Sequence, residues 1–356
     1  MRVIISAGGT GGHIYPALSI INKIKEKEPD SEILYIGTID RMESEIVPKM
    51  NIPYVGLNVI GLKKNITVFK AFPLFMHGIK KCKRIIKDFN PDIVIGVGGY
   101  ITAPVIIAAH KLKIKTVIHE QNSIPGKSNT LLSRYVDKIM VSLPGSIKYF
   151  KHNNVVLTGN PRCEEAYYAK KIDKIKYNLN KNKKLVLIVM GSLGSSSISN
   201  ALMNIIPKFK DKNYEVMIIT GKNNFDMYPK DTPKNVFILP YMENMVDFLK
   251  NVDVLVTRAG ASTIAEILGI NIPSILVPSP YVANNHQFFN AKELLDNSAA
   301  LLLEEKDFNE ENLLKKIDLL LENSVLYKEI EENTKKLSVI NSKEKIYEEI
   351  RKTLGG

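Results

Sequence analysis

A histidine set among glycines is the first feature of the chain that could do chemistry. In Ser6-Ala7-Gly8-Gly9-Thr10-Gly11-Gly12-His13, four glycines fall within five residues and lead into His13. Histidine is the side chain that changes charge near neutral pH, so it suits proton transfer. Glycine admits backbone angles closed to other residues and lets a ligand approach the main chain. Three further turns share the pattern: Gly96-Val97-Gly98-Gly99-Tyr100, Gly191-Ser192-Leu193-Gly194-Ser195, and Arg258-Ala259-Gly260-Ala261-Ser262-Thr263-Ile264-Ala265-Glu266. Amides at a helix start bind anions, so several such turns together suit a diphosphate-bearing ligand. In the last turn Ala261, Ser262 and Thr263 would meet the diphosphate, and Glu266, one helical turn on, would reach the vicinal hydroxyls of a sugar. The alternative there is a capping box, with Ser262 or Thr263 as N-cap and Glu266 as its partner. For the first turn the alternative is a tight turn without a ligand. His119-Glu120-Gln121-Asn122 and Asn284-Asn285-His286-Gln287 add polar groups, the second being either a sugar-binding segment or a plain polar loop.

Several motif resemblances fail on inspection. Gly126-Lys127-Ser128 lacks the leading glycine of a phosphate-binding loop, because Gln121 stands there. His119-Glu120 has Ser123 where a zinc protease needs a second histidine, and Met190 replaces the first glycine of a hydrolase elbow at Gly191-Ser192-Leu193-Gly194. The opening glycines end on Ile14 rather than on the third glycine of a dinucleotide fingerprint, and Thr38 stands where a ribose-binding acid would be.

Each turn must be held by a strand and a helix. The apolar runs 2–7, 32–38, 92–98, 116–120, 138–142 and 155–159 read as strands, and so do 184–190, 215–220, 236–240, 252–257, 274–278 and 299–303. Helix-length segments separate them, with Pro16 suited to open the first helix. The fold class is therefore α/β, with two doubly wound Rossmann-like domains facing across a cleft. The expected division is 1–161, 162–337, and a C-terminal helix over 338–354 (in 338–356) that packs back on the first domain. Ligands of such sheets bind beyond the carboxyl ends of the strands, where all four glycine turns fall.

The chain has 356 residues, 45% hydrophobic, with two cysteines, Cys82 and Cys163. That excludes a disulfide framework and fits a reducing compartment. No signal peptide and no transmembrane helix are expected. The net charge of +12 is uneven: residues 1–161 carry 22 Lys and Arg against 11 Asp and Glu, and the remainder is nearly balanced. Between Glu45 and Asp88 there is no acid, while Lys63, Lys64, Lys70, Lys80, Lys81, Lys83, Arg84 and Lys87 alternate with Phe69, Phe72, Leu74, Phe75 and Met76. A basic stretch this apolar, 63–87, suits an anionic membrane surface better than nucleic acid. The alternative is a solvated helix whose apolar side is core.

Taken with Gly159-Asn160-Pro161-Arg162 and His286-Gln287, the order and spacing of these motifs resemble the MurG family over nearly the whole chain. The resemblance implies a GT-B enzyme that moves GlcNAc from UDP-GlcNAc to the lipid-linked muramyl-pentapeptide (lipid I). The product is lipid II, formed with inversion at the cytoplasmic face of the bacterial membrane, with no metal and no cofactor. Carried over by position, Ser192, Ala261, Ser262 and Thr263 meet the diphosphate, Glu266 the ribose, Gln287 the GlcNAc hydroxyls, and Met242 lends backbone to the uracil. Arg162 would reach the nucleotide; Thr10, Gly11, Gly12 and Asn122 the donor sugar; Gly98, Gly99 and Tyr100 the acceptor. Two positions depart from the family pattern: Arg162 follows Pro161 directly, and His286 replaces a glutamine common there.

Single displacement needs a base for the acceptor hydroxyl. His13 is the first candidate and Glu120 the second, the alternative for His13 being a ligand to sugar or phosphate. Helix-end amides would carry the charge of the departing UDP. Two rival functions are a UDP-GlcNAc 2-epimerase-like isomerase on the same fold and a non-catalytic nucleotide-sugar-binding protein.

Overall fold

The computed structural model describes residues 1–58, 68–151, 154–190 and 195–356, leaving aside the side chains of 68–72 and 196. The chain forms two compact units, Met1–Arg162 with Asn341–Gly356, and Cys163–Ile340.

In unit 1 the strands β1 (Arg2–Ala7), β2 (Glu32–Thr38), β3 (Tyr54–Leu57), β4 (Ile93–Gly98), β5 (Lys115–Glu120), β6 (Lys138–Val141) and β7 (Val155–Leu157) form one sheet. Its order is β3-β2-β1-β4-β5-β6-β7, and every pairing is parallel. The helices are α1 (Gly11–Lys27), α2 (Met42–Lys49), α3 (Val68–Phe89), α4 (Thr102–Lys111) and α5 (Lys127–Leu132). Unit 2 repeats the plan with β8 (Leu185–Val189), β9 (Glu215–Ile219), β10 (Val236–Leu239), β11 (Val254–Thr257), β12 (Ser274–Leu276) and β13 (Leu301–Leu302), in the order β10-β9-β8-β11-β12-β13. Helix α6 (Pro161–Tyr168) crosses the division; α7 (Ser196–Ile205), α8 (Met245–Leu249), α9 (Ala261–Ile270), α10 (His286–Asp296), α11 (Glu310–Glu322) and α12 (Ser324–Leu337) follow, and α13 (Ser342–Leu354) returns to unit 1.

Apolar runs without alternation become the central strands, because helices cover both faces of a parallel sheet. All six residues of β4 are buried. In unit 1, Ile4, Ile36, Val94 and Ile118 pack on one face with Ile79, Cys82 and Ile86 of α3, while Val3, Ile5, Ile95 and Val117 meet Ile14, Ala17, Ile21 and Ile24 of α1 on the other. Ile346 and Ile350 of α13 join that second layer. Ion pairs hold its rim: Glu344 to Lys23 at 2.9 Å, Glu349 to Lys138 at 3.1 Å and Arg351 to Glu28 at 3.1 Å.

Three expectations change. Unit 1 has a seventh strand, β3, which Tyr54-Val55-Gly56-Leu57 hides by being short, on the edge and interrupted by glycine. Pro16 does not open α1, which begins at Gly11, so the last two glycines and His13 form its first turn. Its missing N–H costs only the bond to Gly12, close to the helix start. The run 299–303 pairs only through Leu301 and Leu302. Helix α6 begins at Pro161, beside the expected division at 161/162.

Both sheets reverse their strand order once, between β1 and β4 and between β8 and β11. Crossovers leave in opposite directions there, opening a crevice above the carboxyl ends. Glycine turns stand at the ends of β1, β4 and β11, and the Gly191–Gly194 run after β8 lies outside the described residues. Among the described residues, no helix is long and apolar enough to cross a membrane.

Candidate active site

At the unit 1 reversal the two glycine turns interlock. Gly8 N donates to Gly98 O at 3.2 Å. Gly98 and Gly99 have φ of +115° and +88°, and a Cβ on Gly99 would stand 2.4 Å from Gly8 O. Only glycine satisfies both conditions. The His13 ring lies on this surface: a Cβ at Gly98 would meet its Cδ2 at 2.6 Å and its Nε2 at 2.9 Å. His13 Nδ1 is 3.1 Å from Gly8 O. A carbonyl only accepts, so Nδ1 carries the proton and the neutral ring has its lone pair on Nε2, the form a general base requires. Thr10 is exposed before the first amides of α1, and Tyr100 packs against the core beside α4. Arg162 lies with its guanidinium 6.0 Å from the Tyr15 ring, its N donating to Asn160 Oδ1 at 3.1 Å.

The His119–Asn122 segment divides into distinct roles. His119 is fully buried; Nε2 donates to Gly159 O at 2.9 Å and Nδ1 accepts from Gln121 Nε2 at 2.9 Å. Burial pushes its pKa down against these bonds, which keeps it neutral as a stitch between β5 and the end of β7. The Glu120 carboxylate accepts four N–H donors. Asn122 N and Nδ2 reach Oε1 at 3.0 and 3.1 Å, and Gly126 N and Asn129 Nδ2 reach Oε2 at 3.0 and 2.8 Å. It therefore organises the loop that presents Asn122.

In unit 2, Gly260 is the N-cap of α9 and no side chain caps it, so the capping-box alternative for Ser262, Thr263 and Glu266 fails. Among the described residues Ser262 Oγ is buried without a hydrogen-bond partner. Ala261, Ser262 and Thr263 thus form a first helical turn with a hydroxyl that the fold itself does not use. Asn290 Nδ2 donates to Ala259 O at 3.1 Å, tying α10 beneath this turn. Gln287 belongs to α10 rather than to a loop, and its Oε1 accepts from Ser279 N at 2.9 Å. Met242 is buried just after β10. Ser192 and the Gly191–Gly194 turn lie outside the described residues.

Two acids, Glu43 and the half-buried Glu305, carry no motif signal. Glu43 is fully buried and accepts from Gly9 N at 3.0 Å, Thr38 N at 3.1 Å and Thr38 Oγ1 at 2.7 Å. Glu305 pairs with Arg258 Nη2 at 2.6 Å and accepts from Ser197 Oγ at 2.5 Å. Arg258 also donates to Val277 O at 3.1 Å and Ser195 Oγ at 2.8 Å, so the arginine of the fourth glycine turn braces the start of α7. Nothing near either acid in the sequence marks it out, because the turn residues they hold, Gly9 and Arg258, lie far from them in the chain.

Comparison with known proteins agrees with this architecture. Residues 3–141 match the glycosyltransferase family 28 N-terminal domain and residues 185–349 its C-terminal domain. A curated Bacillus cytotoxicus relative, UDP-N-acetylglucosamine–N-acetylmuramyl-(pentapeptide) pyrophosphoryl-undecaprenol N-acetylglucosamine transferase, is 44% identical over 99% of this chain and 100% of its own. The crystal structure of Acinetobacter baumannii MurG superposes with a TM-score of 0.81 at 26% identity, covering 99% of both chains. A putative UDP-N-acetylglucosamine 2-epimerase from Listeria monocytogenes reaches 0.73 at 14% identity over 98% of this chain and 95% of its own, a likeness of fold alone. With both halves of the domain pair matched and a relative of this identity along its full length, the chain belongs to glycosyltransferase family 28 and, within it, to the MurG family of N-acetylglucosamine transferases.

Proposed function

We propose that this chain transfers GlcNAc from UDP-GlcNAc to lipid I, forming lipid II with inversion at the anomeric carbon. The observation that carries the reading is full-length 44% identity to a transferase of that name. The epimerase alternative has only the shared fold behind it. In the transfer, a bond forms between the acceptor oxygen and the anomeric carbon while the bond from that carbon to the diphosphate oxygen breaks. The acceptor proton passes to His13 Nε2 and the electron pair leaves with UDP. Glu120, with all its acceptor positions engaged by N–H donors, shapes the Asn122 loop and leaves the base role to His13. The donor is held by unit 2. Amides of the α9 turn and the Ser262 and Thr263 hydroxyls meet the diphosphate, with Ser192 from the neighbouring turn, and Glu266 takes the ribose. Gln287, anchored through Oε1, offers its amide N–H groups to the sugar; Met242 and Arg162 serve the nucleotide. Thr10, Gly11 and Gly12 face the donor sugar, and Gly98, Gly99 and Tyr100 the acceptor.

In this reading the protein docks to anionic lipid on the cytoplasmic face, and the composition of α3 supports the docking. Its inner face is Ile79, Cys82 and Ile86, while Leu74 and Met76 are 41% and 42% exposed beside exposed Lys80, Lys81, Arg84 and Lys87. Apolar side chains beside cations suit the boundary between headgroups and acyl chains. Lys63 and Lys64 lie outside the described residues.

Labelled UDP-GlcNAc incubated with and without lipid I tests the transfer. Label passing into lipid only when lipid I is present is expected; UDP-ManNAc formed without lipid, or no turnover, would overturn it. Reversing the charges of Lys80, Lys81, Lys83 and Arg84 is expected to release the protein from anionic vesicles, and unchanged binding would refute the docking face.

A further inference from the structure

We propose that Glu43 is the carboxylate of a relay that tunes His13 through a single peptide bond, a positioning residue whose part in the transfer rests on the reading of His13 as base. The peptide joining Gly8 to Gly9 has both groups engaged. Its N–H donates to Glu43 Oε2 at 3.0 Å, and its carbonyl accepts from His13 Nδ1 at 3.1 Å. The two bonds sit at opposite ends of one peptide dipole. A negative charge at the N–H end enriches the carbonyl oxygen in electron density, and bonds joined in series strengthen one another. The carbonyl then holds the Nδ1 proton more firmly and stabilises the imidazolium that forms when Nε2 takes up a proton. A carboxylate in direct contact with a histidine does the same in hydrolytic triads; here a peptide unit separates the two groups.

The surroundings are built for this carboxylate. Glu43 has no exposure, and among the described residues it forms no ion pair; its charge is met by Gly9 N, Thr38 N and Thr38 Oγ1 and by its place in the first turn of α2. Both strand ends beside it are cleared to glycine. A Cβ at Gly8 would stand 2.3 Å from Glu43 Oε1, and one at Gly37 would stand 2.7 Å from its Cγ. The titratable groups facing it are Tyr35 of β2 and Tyr54 of β3, with Asp40 acting on Tyr54. Burial first, then the Glu43 charge, holds both phenols protonated, and they donate to Ala7 O and Thr38 O. Two residues beyond His13 in α1, the Tyr15 ring has the Arg162 guanidinium 6.0 Å from its centroid.

A carboxylate that merely shaped the turn would leave the His13 titration unchanged, and that is the test. The full chain, labelled with 13C and 15N histidine, is titrated by NMR, with the His13 signals assigned through His13→Gln. In Glu43→Gln the His13 midpoint is expected to fall by about one pH unit, the size due to a carboxylate one peptide away in a partly buried site. The acid limb of the kcat/KM profile moves with it. Thr38→Val removes one donor from Oε1 and leaves the carboxylate, so it is expected to move the midpoint upward. A folded Glu43→Gln whose His13 midpoint is unmoved or raised overturns the relay. Should that variant not fold, Thr38→Val decides: a rise supports the relay and no rise overturns it. Shifted midpoints together with a His13→Gln that still turns over uphold the relay and remove the base assignment.

Discussion

Removing Glu305 is expected to cost both stability and donor affinity, and the two losses can be separated. Its carboxylate and the Arg258 guanidinium are 10% and 9% exposed and 2.6 Å apart. Breaking a buried pair from one side leaves an uncompensated charge and costs about 3–5 kcal/mol. Arg258 keeps its bonds to Val277 O and Ser195 Oγ, which places Glu305→Ala near about 3 kcal/mol. For a unit of this size that corresponds to a fall in Tm of roughly 6–12 °C. The loss should appear in unit 2, so hydrogen exchange at the β8 and β11 amides is the assay of choice beside calorimetry. Ser195 and Ser197, held by this pair at the start of α7, are released as well, and KM for UDP-GlcNAc should rise. In the double variant Arg258→Met with Glu305→Leu, apolar groups of similar volume replace the pair, which is often neutral for stability. It should regain most of the lost Tm and none of the lost affinity. A Glu305→Ala protein within about 2 °C of the parent, or a double variant with normal KM, would refute the reasoning.

Three other outcomes follow from the same geometry. Gly99→Ala combines a positive φ with a contact of 2.4 Å to Gly8 O, so it should destabilise unit 1 by about 2 kcal/mol or more and depress turnover by displacing the peptide that holds His13, as urea unfolding and initial rates would report. Ser262→Ala should stabilise the free protein by up to about 1 kcal/mol, because Oγ is buried without a partner, yet weaken UDP-GlcNAc binding in calorimetry. Two pH windows should be visible in the stability of unit 1. His119 is held neutral by burial, so its contribution is complete above its ordinary value of about 6.5 and declines as pH falls below it, a slope that His119→Gln should abolish. Glu28 is pushed up by burial but pulled lower overall by the Met1 amine, Tyr347 and Arg351, so its hold on α13 is present above its ordinary value of about 4.5 and lost as pH falls further, seen as acid-induced exchange in α13.

Much of the fold is legible from short-range pattern alone. Runs such as Ile93-Val94-Ile95 and Leu185-Val186-Leu187-Ile188-Val189 have no alternation because both faces are covered. What escaped are features decided by tertiary context. Tyr54-Val55-Gly56-Leu57 becomes a strand only because the edge of β2 is there to receive it. Pro16 is an acceptable sixth residue of α1 because the packing of Ile14, Ala17 and Ile21 keeps a turn that the proline would weaken.

The candidate site divides along the same line. Glycines at 8, 9, 98, 99 and 260 announce themselves because their role is set by their own backbone angles and by immediate neighbours. The acids that hold those turns do not, since Glu43 acts on Gly9 and Glu305 on Arg258 from distant positions in the chain. In unit 1 the turns after β1 and β4, and in unit 2 the turn after β11, stand where strand order reverses, and each unit uses an acid from outside that pair of strands to hold a turn. A glycine turn is too permissive to keep a geometry by itself. A buried carboxylate that must satisfy every acceptor position supplies the constraint glycine lacks, at the cost of leaving little freedom to the residues it binds. On that argument the acids should tolerate substitution less well than several of the polar residues that meet substrate. Replacing Glu43 or Glu305 should therefore lower kcat/KM at least as far as replacing Thr10 or Gln287.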